Sequence, residues 1–286
     1  MDEDRFLLKD SNVTIVGLGL MGGSLALTLN GHCRHLNALD NHLPTVSLAR
    51  TEGIVDIASS DPDVVFKDVD LVVLACPVPE ILAWIKKLPG YIQHPCIVID
   101  LGSTKTDIIL ALDALPENFD PIGGHPICGK ETLSLQNAEK QLYQDAPFVF
   151  SPLARTSQRT RNAAVQIAEI LNANPIWLDA ETHDQILAST SHLPYLLSSA
   201  LVLATSEDAE QIIGPGFRSS ARLAGTPTSM MQGVLASNRE NVLFALDRLK
   251  VQLTEIEHAL CDDDFTSLQS ILDLAHSQYQ SLIEIS

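Results

Sequence analysis

The chain has 286 residues, about twice the ~150 that serves as a prior for one domain, which excludes a small disulfide-stapled module and favours two domains. Apolar residues make up 45% and charged residues 19%, the composition of a packed fold rather than a disordered chain. Eighteen Lys and Arg against 36 Asp and Glu leave a net charge of −18, which repels phosphate backbones and anionic lipid and weighs against nucleic-acid or membrane partners.

The start, Met1-Asp2-Glu3-Asp4-Arg5, is acidic where an export leader would be basic, and no apolar run of the ~18 residues needed to cross a bilayer is apparent. Five cysteines (Cys33, Cys76, Cys96, Cys128 and Cys261) form no C-x-x-C pair and no spacing with His that suits zinc. Reduced thiols, no metal and a cytoplasmic location are the expectation.

Val13-Thr14-Ile15-Val16 reads as the first strand, followed by a helix from about Leu20 to Asn30 that ends at Gly31, and a second strand Leu36-Asn37-Ala38-Leu39. Asp70 to Ala75 and Cys96 to Asp100 are near-continuous apolar runs of the kind buried on both faces of a parallel sheet. Phe148-Val149-Phe150 and Pro175 to Leu178 are two further strands around a helix from roughly Ser157 to Asn172. Beyond Asp179 only helix-period segments occur, including Asp184 to Thr205, Glu240 to Leu260 and Asp264 to Ile285, with breaks near Gly214-Pro215-Gly216 and Gly225-Thr226-Pro227. The fold class is therefore α/β: a Rossmann-like, doubly wound, mostly parallel sheet over residues 1–180, then an all-helical domain over 181–286.

Gly17-Leu18-Gly19-Leu20-Met21-Gly22 follows the first strand and opens a helix, the context that a dinucleotide fingerprint requires. Gly17 permits the tight turn, Gly19 a close approach to pyrophosphate and Gly22 close packing of helix on strand, while Leu20 and Met21 begin the helix whose N–H groups face the phosphates. Asp40 lies 18 residues past Gly22 (40 − 22) at the end of the second strand. A carboxylate there accepts hydrogen bonds from ribose hydroxyls and repels a 2′-phosphate, so NAD is expected over NADP, with Arg34, His35 and His42 near enough to soften the preference.

Asp100-Leu101-Gly102-Ser103-Thr104-Lys105 ends a central strand at the carboxyl edge of the sheet, where open α/β folds bind ligands. Ser103 and Lys105 are site candidates there; Thr104 with Asp107 also fits a capping box, so part of the segment is explained by helix initiation. His125, held between Gly123-Gly124 and Pro126 in what reads as a loop after Asp120-Pro121-Ile122, is the candidate proton acceptor. Arg218 and Arg222, four apart on an expected helix, form a cationic face in a chain short of cations.

Together, G-L-G-L-M-G-G-S, D-L-G-S-T-K, G-G-H-P-I-C-G-K-E, E-T-H-D-Q followed by S-H-L-P-Y, and F-R-S-S-A-R-L-A resemble the prephenate/arogenate dehydrogenase family of tyrosine biosynthesis. The resemblance runs in order from about Val13 to Ala224 and implies oxidative decarboxylation of a cyclohexadienyl substrate on NAD(P), in a homodimer built through the helical domain. By that resemblance His125 takes the proton of the ring 4-hydroxyl as hydride leaves the same carbon. Ser103 shares that hydroxyl and positions the nicotinamide. Arg222 binds a substrate carboxylate, Glu131 sits at the pocket mouth, and His192 belongs to the S-H-L-P motif.

Tyr195 stands where the family usually has a second His, and Ser219 and Ala221 stand where it has Asp and Thr. These departures leave recognition of the substrate side chain, and so prephenate against arogenate, open. His183, His192 and Tyr195 could share much of one helical face that Pro194 would kink, or the two histidines could simply be satisfied interdomain residues. No room is expected for a fused mutase or a regulatory βαββαβ module. The rival readings are a β-hydroxyacid dehydrogenase or imine reductase, which would need a helical-domain Lys or Asp and leave His125 unexplained, and a dinucleotide-sensing dimer without turnover.

Overall fold

The computed structural model describes residues 6–130 and 132–283. Contacts divide the chain into two compact units, Met1–Asn238 and Arg239–Ser286. The first is built on one eight-stranded sheet in the order β3-β2-β1-β4-β5-β6-β7-β8. Its strands are β1 (Asn12–Val16), β2 (His35–Leu39), β3 (Ile57–Ser59), β4 (Leu71–Leu74), β5 (Cys96–Asp100), β6 (Phe119–Pro126), β7 (Pro147–Pro152) and β8 (Asn174–Trp177). All pairings are parallel except β6 with β7. The first six strands have the doubly wound Rossmann order, and β4 and β5 are buried along their whole length, as their unbroken apolar sequence requires.

The crossover helices are α1 (Leu20–Leu29), α2 (Leu43–Thr51), α3 (Pro62–Val65), α4 (Val78–Tyr91), α5 (Thr106–Asp113) and α6 (Gln158–Leu171). Two apolar layers result, one joining α1 and α6 to the sheet and the other α4 and α5. Glycine lets α1 come this close: a Cβ on Gly22 would lie 1.9 Å from the Gly17 carbonyl oxygen. Gly17 itself has φ +95, a left-handed turn that only glycine adopts without strain.

After Trp177 the described residues hold only helices and turns: α7 (Ala180–Leu187), α8 (Leu193–Ala204), α9 (Pro215–Ala221) and α10 (Thr228–Ser237) complete the first unit. The expected single helix from Asp184 to Thr205 is divided. A π-helical turn over Ala188–His192 precedes Pro194, so the proline falls in the first turn of α8, directly after the widened ladder. By length and composition Ala180–Ala204 does pass for a membrane span, with a mean hydropathy of 1.4, contrary to the expectation above; its serines, threonines and histidines interrupt the apolar run without lowering the average enough. Buried His183 and Asp184, hydrogen-bonded to groups outside α7, argue against immersion in lipid. The second unit is a pair of helices packed on each other, α11 (Arg239–Cys261) and α12 (Phe265–Ile283), with Asp264 accepting from the Ser267 N–H at 3.0 Å to cap α12.

Candidate active site

At the carboxyl edge of β1 and β2, the Gly17 N–H donates to the Leu39 carbonyl at 2.8 Å, and the Leu18 N–H donates to Asp40 at 2.7 Å. The carboxylate thus lies beside the glycine turn. Helix α1 begins at Gly19 with no side chain capping its first N–H groups, and a Cβ on Gly19 would meet nothing within 4 Å. An uncapped helix start, an open approach over Gly19 and an acceptor at the end of β2 fit the pyrophosphate and ribose of a dinucleotide.

The carboxyl edge of β5 and β6 carries the next candidates. His125 lies within β6, not in a loop: it pairs with Val149 of β7 in an antiparallel ladder, and the preceding glycines serve packing. A Cβ on Gly124 would come 2.5 Å from the Asp100 carbonyl oxygen, and one on Gly123 would lie 2.9 Å from the Ile109 side chain. The histidine's backbone is therefore held by three adjacent strands.

Lys105 corrects the sequence reading. It is fully buried and ion-paired to equally buried Asp100, which also accepts from the N–H groups of Gly102 at 2.7 Å and Gly124 at 3.1 Å. Its charge is consumed inside the fold, so it is not an exposed anion-binding group. The proposed Thr104–Asp107 capping box is also replaced. Helix α5 is capped from α7, where Asp184 accepts from Lys105 N–H at 2.7 Å and Thr106 N–H at 2.8 Å, while the Thr104 hydroxyl bonds to Ser237 at 2.7 Å. Ser103 remains partly buried in the turn between β5 and α5.

A hydrogen-bonded line runs from His125 into α7. His125 Nδ1 is 2.8 Å from His183 Nε2, and His183 Nδ1 is 2.8 Å from Asp184 Oδ1. His192 is buried beside them; its Nδ1 lies 3.2 Å from Asn238 Nδ2, which also donates to the Asp184 carbonyl at 2.7 Å. Asn238 can only donate through that nitrogen, so His192 accepts at Nδ1 and carries its proton on Nε2, a buried atom with no partner in the structure. The sequence analysis took His183 as a member of a helical face or a satisfied packing residue, and missed Asp184 and Asn238. The adjacent His-Asp in E-T-H-D-Q was the available signal, but its partner His125 is 58 residues away.

Electrostatics keep His125 and His192 neutral. Burial, with help from His183, Lys105 and His192, drives His125 well below the ordinary imidazole range. Burial lowers His192 to about 4 against an opposing pull from Asp184. At Asp184, burial favours the acid form, but hydrogen bonds from His183, Thr106 and Lys105 outweigh it and hold the carboxyl below its usual range.

The other described candidates lie on α8, on α9 and in the turn that follows α9. Arg218 is exposed on α9; Arg222 is exposed in the 3-10 turn Arg222–Gly225 that follows, so the two do not share one continuous α-helix as expected. Tyr195 is partly buried in the first turn of α8, three residues beyond His192. Glu131 lies outside the described residues.

Residues 25–176 match the nucleotide-binding domain of prephenate dehydrogenase, and residues 179–274 match its dimerization domain. The chain belongs to the prephenate dehydrogenase family. A prephenate dehydrogenase of Bacillus subtilis (strain 168) is 26% identical over 271 residues, covering 91% of this chain and 73% of that protein. Among solved structures, prephenate dehydrogenase from A. aeolicus in complex with hydroxyphenyl propionate and NAD+ superposes with a TM-score of 0.88 at 25% identity, over 95% of this chain and 98% of that one. Synechocystis arogenate dehydrogenase superposes with a TM-score of 0.81 at 26% identity, over 95% and 99%. Family membership takes the place of the β-hydroxyacid dehydrogenase and non-catalytic readings.

Proposed function

We propose that the protein catalyses the oxidative decarboxylation of prephenate or arogenate, a step of tyrosine formation, with NAD as cofactor. The observation that carries the reading is His125: a neutral imidazole fixed at the carboxyl edge of the same sheet whose β1 leads into a glycine turn fit for a dinucleotide. Gly17, Gly19, Leu20, Met21, Gly22 and Asp40 would hold NAD, which supplies a hydride acceptor when bound. The relatives' names and the NAD+ in the A. aeolicus complex support the assignment.

His125 takes the proton of the substrate's 4-hydroxyl while the carbon bearing it gives up hydride. Breakage of the bond to the ring carboxylate then releases carbon dioxide, and its electron pair makes the ring aromatic. The product phenol needs the proton back, so His125 serves as base and then as acid. Ser103 shares the hydroxyl, and His192 offers Nε2–H as a donor to substrate. Arg222, with Arg218 near it in sequence, provides the carboxylate fork that a lysine could not reproduce. Glu131 and Tyr195 are the residues we assign to recognition of the side chain by which the two substrates differ. Lys105 acts on the site only from within the fold.

We take residues 1–180 as the cofactor domain and 181–286 as the substrate and dimer domain, and we place the enzyme in the cytoplasm as a homodimer. Exposed Leu197, Val202 and Leu203 along α8 support an apolar contact between copies. The test is initial-rate NAD reduction with prephenate and arogenate supplied separately, each repeated with NADP. Reduction with one or both substrates, faster with NAD, is expected; no reduction with either overturns the reading.

A further inference from the structure

We propose that His183 is a positioning residue which, backed by Asp184, fixes the tautomer of His125 and shares the proton that His125 removes from substrate. This deepens the dehydrogenase reading and rests on it.

The argument begins at the carboxylate. Ionised Asp184 can only accept hydrogen bonds, so its 2.8 Å contact with His183 carries a proton on His183 Nδ1. With one proton per ring, His183 Nε2 is then a lone pair, and the 2.8 Å contact to His125 must be donated by His125 Nδ1–H. What remains on His125 is an unprotonated Nε2. The line thus selects the atom that accepts the substrate proton, and selects it by a chain of obligatory donors and acceptors.

A packing role alone does not require this arrangement. His183 is fully buried and both of its ring nitrogens are committed, one to a carboxylate and the other to the histidine at the sheet edge. The two rings meet edge to face, at 69° with centroids 5.1 Å apart, which keeps one nitrogen of each in line with the other. Lys105 from the start of α5 and His192 from the π-helical turn both disfavour a cation on His125, and Asp100 is already neutralised by Lys105. Asp184 is the anionic group left in the line. When His125 becomes imidazolium, its Nδ1–H faces His183 Nε2, which can take that proton while its own Nδ1–H stays on Asp184. The positive charge moves towards the carboxylate, and the reverse shift returns the proton to the product oxygen, with no co-reactant needed.

The experiment compares full-length wild type, His183→Gln and His183→Phe. Glutamine keeps an oxygen that can accept from His125 Nδ1–H; phenylalanine keeps bulk only. With whichever substrate wild type turns over, His183→Phe should lower kcat on the order of 10²-fold while KM and NAD affinity stay within about two-fold, and glutamine, which restores the acceptor but cannot take up the proton, should recover part of that loss. Equal impairment of both variants, or a His183→Phe kcat within about two-fold of wild type, overturns the proposal. Should His183→Phe not fold, nitrogen-15 NMR of wild-type His125 decides: a proton on Nδ1 supports the proposal and a proton on Nε2 overturns it. Failure of wild type on both substrates would overturn the dehydrogenase reading, and the NMR result would still judge the tautomer.

Discussion

Lys105 and Asp100 form an ion pair from which water is wholly excluded, five residues apart across the end of β5 and the start of α5. Two charges removed from water hold only because each answers the other, and Asp100 is further satisfied by two backbone N–H groups. Replacing Lys105 by Met should destabilise the fold by about 3–5 kcal/mol, because a carboxylate is left buried without its cation. Urea unfolding at pH 7 measures it. The same change removes one of the charges that depress His125, so the acid limb of the kcat profile should move to higher pH.

Substituting His125 by Asn removes the proton acceptor and leaves the glycine turn and Asp40 intact. A loss of 10²–10⁴-fold in kcat with unchanged NAD affinity is the expected outcome, read from steady-state rates and a cofactor titration. Equal kcat for the variant and wild type would refute the base assignment.

Stability should fall on acidification in a defined window. His192 has a folded pKa of about 4 against an ordinary value of 6.5, and His125 is lowered as well. The unfolded chain therefore binds protons that the folded one refuses, so the stability contributed by neutral burial is present above about 6.5 and is lost as pH drops towards 4. Urea midpoints taken through that range should decline more steeply for wild type than for His192→Gln, which has no ring to titrate. Activity, by contrast, should persist below pH 6.5, because the base stays neutral there.

How far the sequence revealed this molecule depended on the range over which each signal acts. The β1–α1–β2 unit was readable because its glycines, apolar strand and Asp40 follow one another closely, and β4 and β5 because burial on both faces leaves an unbroken apolar run. Lys105 misled: past a strand end at the carboxyl edge it reads as a site residue, and nothing local announces that Asp100 turns inward to meet it. His125 misled in another way, since Gly-Gly and Pro are the usual punctuation of a loop; here the glycines admit a neighbouring strand and helix. The Asp184 cap on α5 and the line through His183 arise from residues that only tertiary packing joins.

Asp40 to Asn should weaken NAD binding by about 1–2 kcal/mol and narrow the preference for NAD over NADP, since the amide keeps a polar contact but no longer repels a phosphate. Kd values for both cofactors would show it, and an unchanged ratio would remove Asp40 from the discrimination.

For Arg222 to Gln, KM should rise with a smaller effect on kcat, as expected where binding is lost equally in the ground and transition states. A pure kcat defect would instead tie Arg222 to the chemical step.

Because His125 belongs to a strand, its aim is a matter of ladder register. A slip of one residue against Val149 would turn the imidazole to the opposite face of the sheet and disconnect it from α7. Insertions and deletions, which loops absorb with ease, are barred from β6 and β7. Within this architecture, new substrate preferences can arise by altering the helices after β8, while the position of the base stays out of reach of such change.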